Sequence, residues 1–260
     1  MAESVTYQVQ DGVGFIALNR PERMNAVTSE TLAALLARFE QAEADNAVRV
    51  VVITGSGRGF CTGLDLKEPM ALDADGKPDL ALPLERDFNP LAKRLMASPK
   101  ITVAAMNGPA VGAGAGLALA CDIVVAAKSA YLQIAFVRIG LVPDAGLTWF
   151  LPRIVGHKLA LALALTGDRV AADEAKAMGL IYRVFEDETF QQDVLDFVKP
   201  LRQGSAQAHA LIKQAFRESA KNDFDAQLNV EARLQDRAAK LDDFAEALSA
   251  FRDKRAPVFK

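Results

Sequence analysis

The spacing of apolar residues switches repeatedly between two periods along this chain. Val13-Gly14-Phe15-Ile16-Ala17-Leu18-Asn19 is a short apolar run that stops at Arg20-Pro21-Glu22-Arg23, which predicts a strand closed by a turn. The period then becomes helical. Leu32, Leu35, Leu36 and Phe39 share one face, Thr28 stands at the N-cap position and Glu30 lies in the first turn. Residues 48–54 are β-branched and apolar almost throughout, as in a strand buried on both faces, and they end at Gly55-Ser56-Gly57. Residues 67–85 contain Pro69, Gly76, Pro78 and Pro83 and have little periodicity, so a mobile loop is expected; long irregular loops are more often functional than accidental. A helix over 90–97, a strand over 101–106, a glycine loop with its helix, and strands over 123–127 and 131–134 follow. From about residue 171 helices dominate, with Phe216, Phe224, Leu228, Leu234, Leu241, Phe244, Leu248 and Phe251 on apolar faces of a helical tail. Strands alternating with helices predict an α/β fold with mainly parallel pairing. The tail carries more apolar surface than one small layer needs, so it either packs back on the core or meets another subunit.

Composition narrows the function classes. The chain has 260 residues, 51% hydrophobic and 24% charged, with a net charge of −3 and both signs mixed along its length. No basic block is present to follow a phosphate backbone, which argues against nucleic acid as a partner. No run of ~18 apolar residues exists, and the start carries neither a charged nor an apolar leader region, so neither a membrane span nor a signal peptide is expected. Cys61 and Cys121 are isolated, which fits a reducing cytoplasm rather than a disulfide framework. His157 and His209 lack spaced partners, so no His/Cys metal site is expected.

Three loops hold candidate chemistry. Gly112-Ala113-Gly114-Ala115-Gly116-Leu117 opens an apolar helix after a strand. It fails the dinucleotide fingerprint, because Leu117 stands where a third glycine is needed, and it lacks the Gly-Lys-Ser/Thr of a phosphate loop. Two readings stay open: free amides suited to a developing oxyanion, or small residues that allow close helix–sheet packing. In Gly59-Phe60-Cys61-Thr62-Gly63-Leu64-Asp65-Leu66, Gly63 permits an unusual backbone turn that can aim the Leu64 amide into a site, and Asp65 is either a site residue or a helix cap. Cys61 reads as a small buried residue, and no Gly-x-Ser-x-Gly elbow supports serine hydrolysis. In Gly140-Leu141-Val142-Pro143-Asp144-Ala145-Gly146, Asp144 is either a plain turn residue or a carboxylate desolvated by Ile139, Leu141, Val142, Trp149 and Phe150. Desolvation raises a carboxyl pKa and suits it to proton transfer.

Together these loops resemble the crotonase (enoyl-CoA hydratase/isomerase) superfamily over nearly the whole chain, from about Val13 onward. Asn19-Arg20-Pro21 with Asn25-Ala26 resembles its first CoA-contacting turn. Residues 59–66 resemble its first oxyanion segment, and Asn107-Gly108, Gly112-Ala113-Gly114 and Cys121-Asp122 its second. Leu165-Thr166-Gly167, the segment 175–180 and Ala250-Phe251-Arg252-Asp253-Lys254-Arg255 match later signatures. The resemblance implies a spiral of ββα units over residues 1–200 and a helical trimerisation region over 201–260, assembled as a homotrimer or hexamer. It implies an acyl-CoA substrate whose thioester oxygen is held by the Leu64 and Ala113 amides. No metal or redox cofactor is implied, since CoA is the carrier part of the substrate. Hydratases of the family place glutamates at the positions of Gly116 and Phe136, and both are missing here. Asp144 matches the aspartate of the isomerase and dehalogenase branches, and the wording around it is closest to the ring-1,2-epoxyphenylacetyl-CoA isomerases of aerobic phenylacetate degradation. The implied chemistry is isomerisation with Asp144 as acid/base. Water addition or thioester hydrolysis is the alternative, and a non-catalytic acyl-CoA-binding role a second one. Thr62, Asp65, Leu66, Ala26, Gly112, Gly116, Phe136 and Trp149 are the implied substrate contacts, and Arg23 and Lys254 the candidates for the CoA phosphates. Leu147 stands where the family has glycine and is expected to crowd the pocket beside Asp144.

Overall fold

The computed structural model describes residues 3–259. The chain enters as a hairpin, β1 (Val5–Gln10) and β2 (Val13–Leu18), then α1 (Ser29–Ala44) and β3 (Val50–Gly55). A long segment leads to the short α2 (Ala81–Pro83), a π-helical turn at Leu84–Phe88 and α3 (Asn89–Ala97). Next come β4 (Ile101–Met106), β5 (Ala110–Val111), α4 (Ala113–Leu119), β6 (Ile123–Ala127) and β7 (Tyr131–Gln133). A 3-10 turn at Ala135–Ile139 leads to α5 (Leu147–Val155), α6 (His157–Thr166), β8 (Arg169–Ala171), α7 (Ala172–Ala177) and β9 (Arg183–Phe185). Four helices close the chain: α8 (Phe190–Gln203), α9 (Ala206–Ser219), α10 (Phe224–Ala239) and α11 (Asp242–Arg252).

Six strands pair in the order β1-β2-β3-β4-β6-β9, and every contact after the first hairpin is parallel. Five of the six β3 residues and all six of β4 are buried, which explains their unbroken apolar runs. A second sheet runs β5-β7-β8, and isolated bridges Cys61–Ala110 and Val27–Leu64 extend that layer past β5. From β2 to β7, a strand in the first sheet is followed by a pairing in the second before a helix returns the chain, which is the expected crotonase-type α/β spiral. The helix over 29–44 forms as its pattern dictates: the Thr28 hydroxyl accepts from the Thr31 amide, and Leu32, Leu35 and Phe39 are buried.

A polar knot helps to anchor the tail to the core. Lys213 on α9 donates to Asp122 Oδ2 and to the Lys100 carbonyl, both at 2.6 Å, and the same Asp122 oxygen accepts from the Thr102 amide at 2.7 Å. Beyond it α9–α11 leave Phe216 (76%), Phe224 (76%) and Phe251 (84%) exposed. The boundary expected at 200/201 falls inside α8, which runs on to Gln203. Residues 67–85, expected to be a loop, contain a closed turn: the Asp73 amide bonds the Lys77 carbonyl at 2.8 Å and Leu72 bridges Pro78. No helix among the described residues is long and apolar enough to cross a membrane.

Candidate active site

Leu64 is aimed by its neighbours. The Val27 amide donates to the Gly63 carbonyl at 2.8 Å and the Asp65 amide to the Val27 carbonyl at 2.9 Å, which makes a parallel bridge of Val27 with Leu64. Both bonds use groups flanking Leu64, so its own N–H faces the opposite side, and among the described residues no acceptor takes it. The required bend places Gly63 at φ +85°, where a side chain is strained.

Ala113 reaches the same place from the next layer. The Val111 amide bonds the Cys61 carbonyl at 2.9 Å, and the Gly112 amide bonds the Gln133 carbonyl at 2.9 Å. Gly112, at φ 56° and ψ −125°, then turns the chain into α4, whose first amide is that of Ala113 and has no acceptor among the described residues. The two segments touch: a methyl group on Gly63 would lie 3.4 Å from the Ala113 nitrogen. Gly114 is fixed as glycine by the same contact, because a methyl group there would lie 2.1 Å from the Cys61 carbonyl oxygen. This loop thus packs closely through Gly114 and leaves the Ala113 amide free.

Asp144 closes the third side. It sits between the 3-10 turn at Ala135–Ile139 and α5, with the next two residues left-handed (Ala145 φ 53°, Gly146 φ 79°) and the Leu147 amide bonded to the Asp144 carbonyl at 2.9 Å. Its Oδ1 is buried without a hydrogen-bond partner among the described residues. Burial pushes the carboxyl up to about 6 from 3.8, against a small lowering by its own backbone amide.

Leu64, Ala113 and Asp144 line one cavity of about 240 Å³. Its walls are apolar, with Leu32, Leu84, Phe88, Phe136 and Leu141 prominent. Only two lining side chains are ionisable, Asp144 and Arg138, and Arg138 is engaged with the Gly167 carbonyl (2.8 Å) and Asp168 (3.0 Å). Thr62, Leu66, Gly112 and Phe136 also line the cavity, as expected.

Several expected contacts lie elsewhere. Gly116 faces the Asp144 turn from beneath: a methyl group there would lie 2.5 Å from Ala145 Cβ and 2.7 Å from the Ala145 carbonyl oxygen, so this position is packing and not cavity wall. Trp149, on α5, is 40% exposed under the Arg153 guanidinium, 4.2 Å from its ring centre, and does not line the cavity. Leu147 is fully buried in the core and does not crowd the pocket. Asp65 turns away to Arg20 (3.0 Å) and to the Lys67 amide (3.1 Å), and it caps no helix. Burial raises its carboxyl, but the Lys67 and Arg20 hydrogen bonds outweigh that and hold it below the usual range. Ala26 is buried with its carbonyl taken by Arg20, and Arg23 and Lys254 are exposed outside the cavity lining. Val27, Leu84 and Phe88 also form cavity walls, and no periodic or turn signal marks Val27 or Leu84 for that place. Cys61 and Cys121 are buried, and desolvation raises both thiols, that of Cys61 to about 12.

The sequence matches the family of enoyl-CoA hydratases/isomerases over residues 8–260. It is 41% identical over 259 residues to the 1,2-epoxyphenylacetyl-CoA isomerase of Escherichia coli (strain K12), covering 100% of this chain and 99% of that protein. It is 38% identical over 251 residues to the 2,3-dehydroadipyl-CoA hydratase of the same organism, covering 96% of each. A crystal structure of an enoyl-CoA hydratase from Bacillus anthracis superposes with a TM-score of 0.93 at 29% identity, covering 99% of both chains.

Proposed function

This chain belongs to the enoyl-CoA hydratase/isomerase family, and within it we propose that the protein is an acyl-CoA isomerase. A single observation carries the reading: the cavity that holds two unpaired amides has one carboxylate in its lining, that of Asp144, and its pKa is raised to about 6. Adding water calls for one group to take a proton from water and another to place it on carbon. Moving a double bond needs one group that removes a proton and returns it elsewhere, which a lone carboxyl with a pKa near neutrality does well. The absence of a carboxylate at Gly116 and at Phe136 supports the same choice.

In this mechanism an unsaturated acyl-CoA enters with its thioester oxygen between the Leu64 and Ala113 amides. Asp144 takes the proton from the carbon next to the thioester, and the resulting enolate oxygen is held by the two N–H groups. Removing one such donor typically costs ~10²–10³ in rate. The electron pair moves along the conjugated carbons, and the Asp144 carboxylic acid returns the proton two carbons further on. The product has the mass of the substrate and the enzyme ends as it began. On a ring-epoxide arylacetyl-CoA the same groups support opening to the ring-expanded isomer, the reading favoured by the relative named as a 1,2-epoxyphenylacetyl-CoA isomerase. Phe136 and Phe88 would face the acyl group, and Arg23 and Lys254 remain the candidates for the CoA phosphates. The exposed phenylalanines of α9–α11 support self-association as a trimer or hexamer, which light scattering would measure.

The test is mass-resolved product analysis with a 3-enoyl-CoA and a 2-enoyl-CoA on wild type and Asp144→Ala. A product of unchanged mass with a moved double bond, lost in the variant, is expected. A product heavier by one water would return the chain to the hydratases.

A further inference from the structure

The geometry assigns Arg20 the role of a positioning residue that aims the Leu64 amide from outside the cavity. The inference rests on the reading of Leu64 N–H as an oxyanion donor. That N–H has its direction because Val27 bonds to both of Leu64's neighbours. Two backbone bonds at the end of a layer, with no strand beyond them among the described residues, are a weak frame. Arg20 adds a second one. Its guanidinium donates to the Ala26 carbonyl at 2.7 Å on one side of the bridge and to Asp65 Oδ2 at 3.0 Å on the other, with Glu68 Oε1 at 3.7 Å. Ala26 adjoins Val27 and Asp65 adjoins Leu64, so one rigid planar cation spans the bridge and fixes the separation and tilt of its two sides. The planar fork suits this role, because its two terminal nitrogens hold the two acceptors at a fixed spacing, whereas an ammonium must draw both to a single nitrogen on a flexible stem.

Arg20 is itself immobilised. Its amide donates to Asn25 Oδ1 at 2.9 Å, and its carbonyl accepts from the Asn25 amide at 3.0 Å and the Arg23 amide at 2.9 Å. Asn25 is buried, and its side-chain amide reaches the carbonyls of Ser56 (2.9 Å) and Gly59 (2.7 Å). The Asp65 and Arg20 side chains are 5% and 18% exposed, so solvent does not compete strongly for the pair. The frame that aims Leu64 is thereby tied to the ends of β2 and β3. Arg20 does not line the cavity and makes no contact with substrate in this scheme.

The experiment uses the full-length protein and a saturated, unreactive acyl-CoA labelled with ¹³C at the thioester carbonyl. Difference infrared spectroscopy reads the carbonyl stretch of the bound ligand, which falls in frequency as the oxyanion donors tighten on it. Wild type is expected to show a lowered stretch. Arg20→Met is expected to bind the ligand within a few-fold of wild type, with most of that lowering lost and kcat down by about 10- to 100-fold at nearly unchanged KM, a loss smaller than that for deleting a donor outright. Arg20→Lys should restore part of both. Because Arg20→Met leaves Asp65 buried and unpaired, the double variant Arg20→Met/Asp65→Leu is measured alongside it. A wild-type stretch and wild-type kcat in the folded double variant would overturn the proposal, since the pair would then serve stability alone. An unshifted carbonyl in wild type would refute the oxyanion reading itself, and the role of Arg20 with it.

Discussion

Asp144→Asn should remove activity and at the same time stabilise the protein, in a pH-dependent way. The carboxyl is raised from 3.8 to about 6 because burial penalises its charged form. A rise of roughly 2.2 units corresponds to about 3 kcal/mol at about 1.36 kcal/mol per unit. Water reaches part of the group and screens it, so about 1–3 kcal/mol is the working range. Between pH 3.8 and about 6 the folded state binds more protons at this site than the unfolded state. Stability therefore falls as pH rises through that window and stays low above it. Asparagine has nearly the same shape and no charge to desolvate. The variant should match wild type at about pH 4 and exceed it by the full amount at pH 7 and above. Urea unfolding at several pH values, followed by the fluorescence of Trp149, the single tryptophan, reads the difference directly. If Asp144 is the base, kcat/KM of the wild type should rise tenfold per pH unit below about 6 and level off above it. Stability curves that run parallel at all pH values would refute the claim that this carboxylate is desolvated, and with it the physical basis for its role.

Further outcomes follow from the packing. Gly116→Ala should cost about 1–3 kcal/mol through overpacking against Ala145. Adding Ala145→Gly removes the opposing methyl group and a left-handed alanine at φ 53° but leaves the Ala145 carbonyl oxygen in place, so it should recover only part of the loss; a double-mutant cycle by urea unfolding measures the coupling. Gly114→Ala should be worse, at about 3 kcal/mol or more, because the Cys61 backbone cannot move without displacing the segment that leads to Leu64; thermal unfolding and kcat should fall together. Trp149→Ala should leave kcat and KM within about two-fold, because the ring lies outside the cavity and an exposed cation–π contact is worth only about 0.5–1 kcal/mol; steady-state kinetics checks this. Native Cys61 and Cys121 should resist iodoacetamide at pH 8 and react once unfolded, as mass spectrometry would show.

The alternation of apolar runs with helical periods was enough to predict an α/β fold with parallel strands, because burial on both faces of a sheet leaves a mark on every residue of a strand such as 50–55. Thr28 as a cap, Gly63 as a turn and Gly112 as the entry to α4 were also legible, since each expresses a local backbone need. Asp144 stood out as a lone acid in an apolar segment, but whether it was a turn residue or a desolvated carboxyl depended on what packs around it. Tertiary structure decided that, and it placed Trp149 and Gly116 outside the cavity even though Trp149 lies near Asp144 and Gly116 near Ala113 in sequence. Helix rotation set the first: one face of α5 is buried and Trp149 is on the other. The second was set by an approach between α4 and the Ala145 turn, 29 residues apart in sequence. Arg20 and Asp65, 45 residues apart, carried no sign of being a pair. Local periodicity and turn chemistry are written residue by residue, whereas the direction of a side chain or an amide depends on contacts between segments that meet only after the chain has folded.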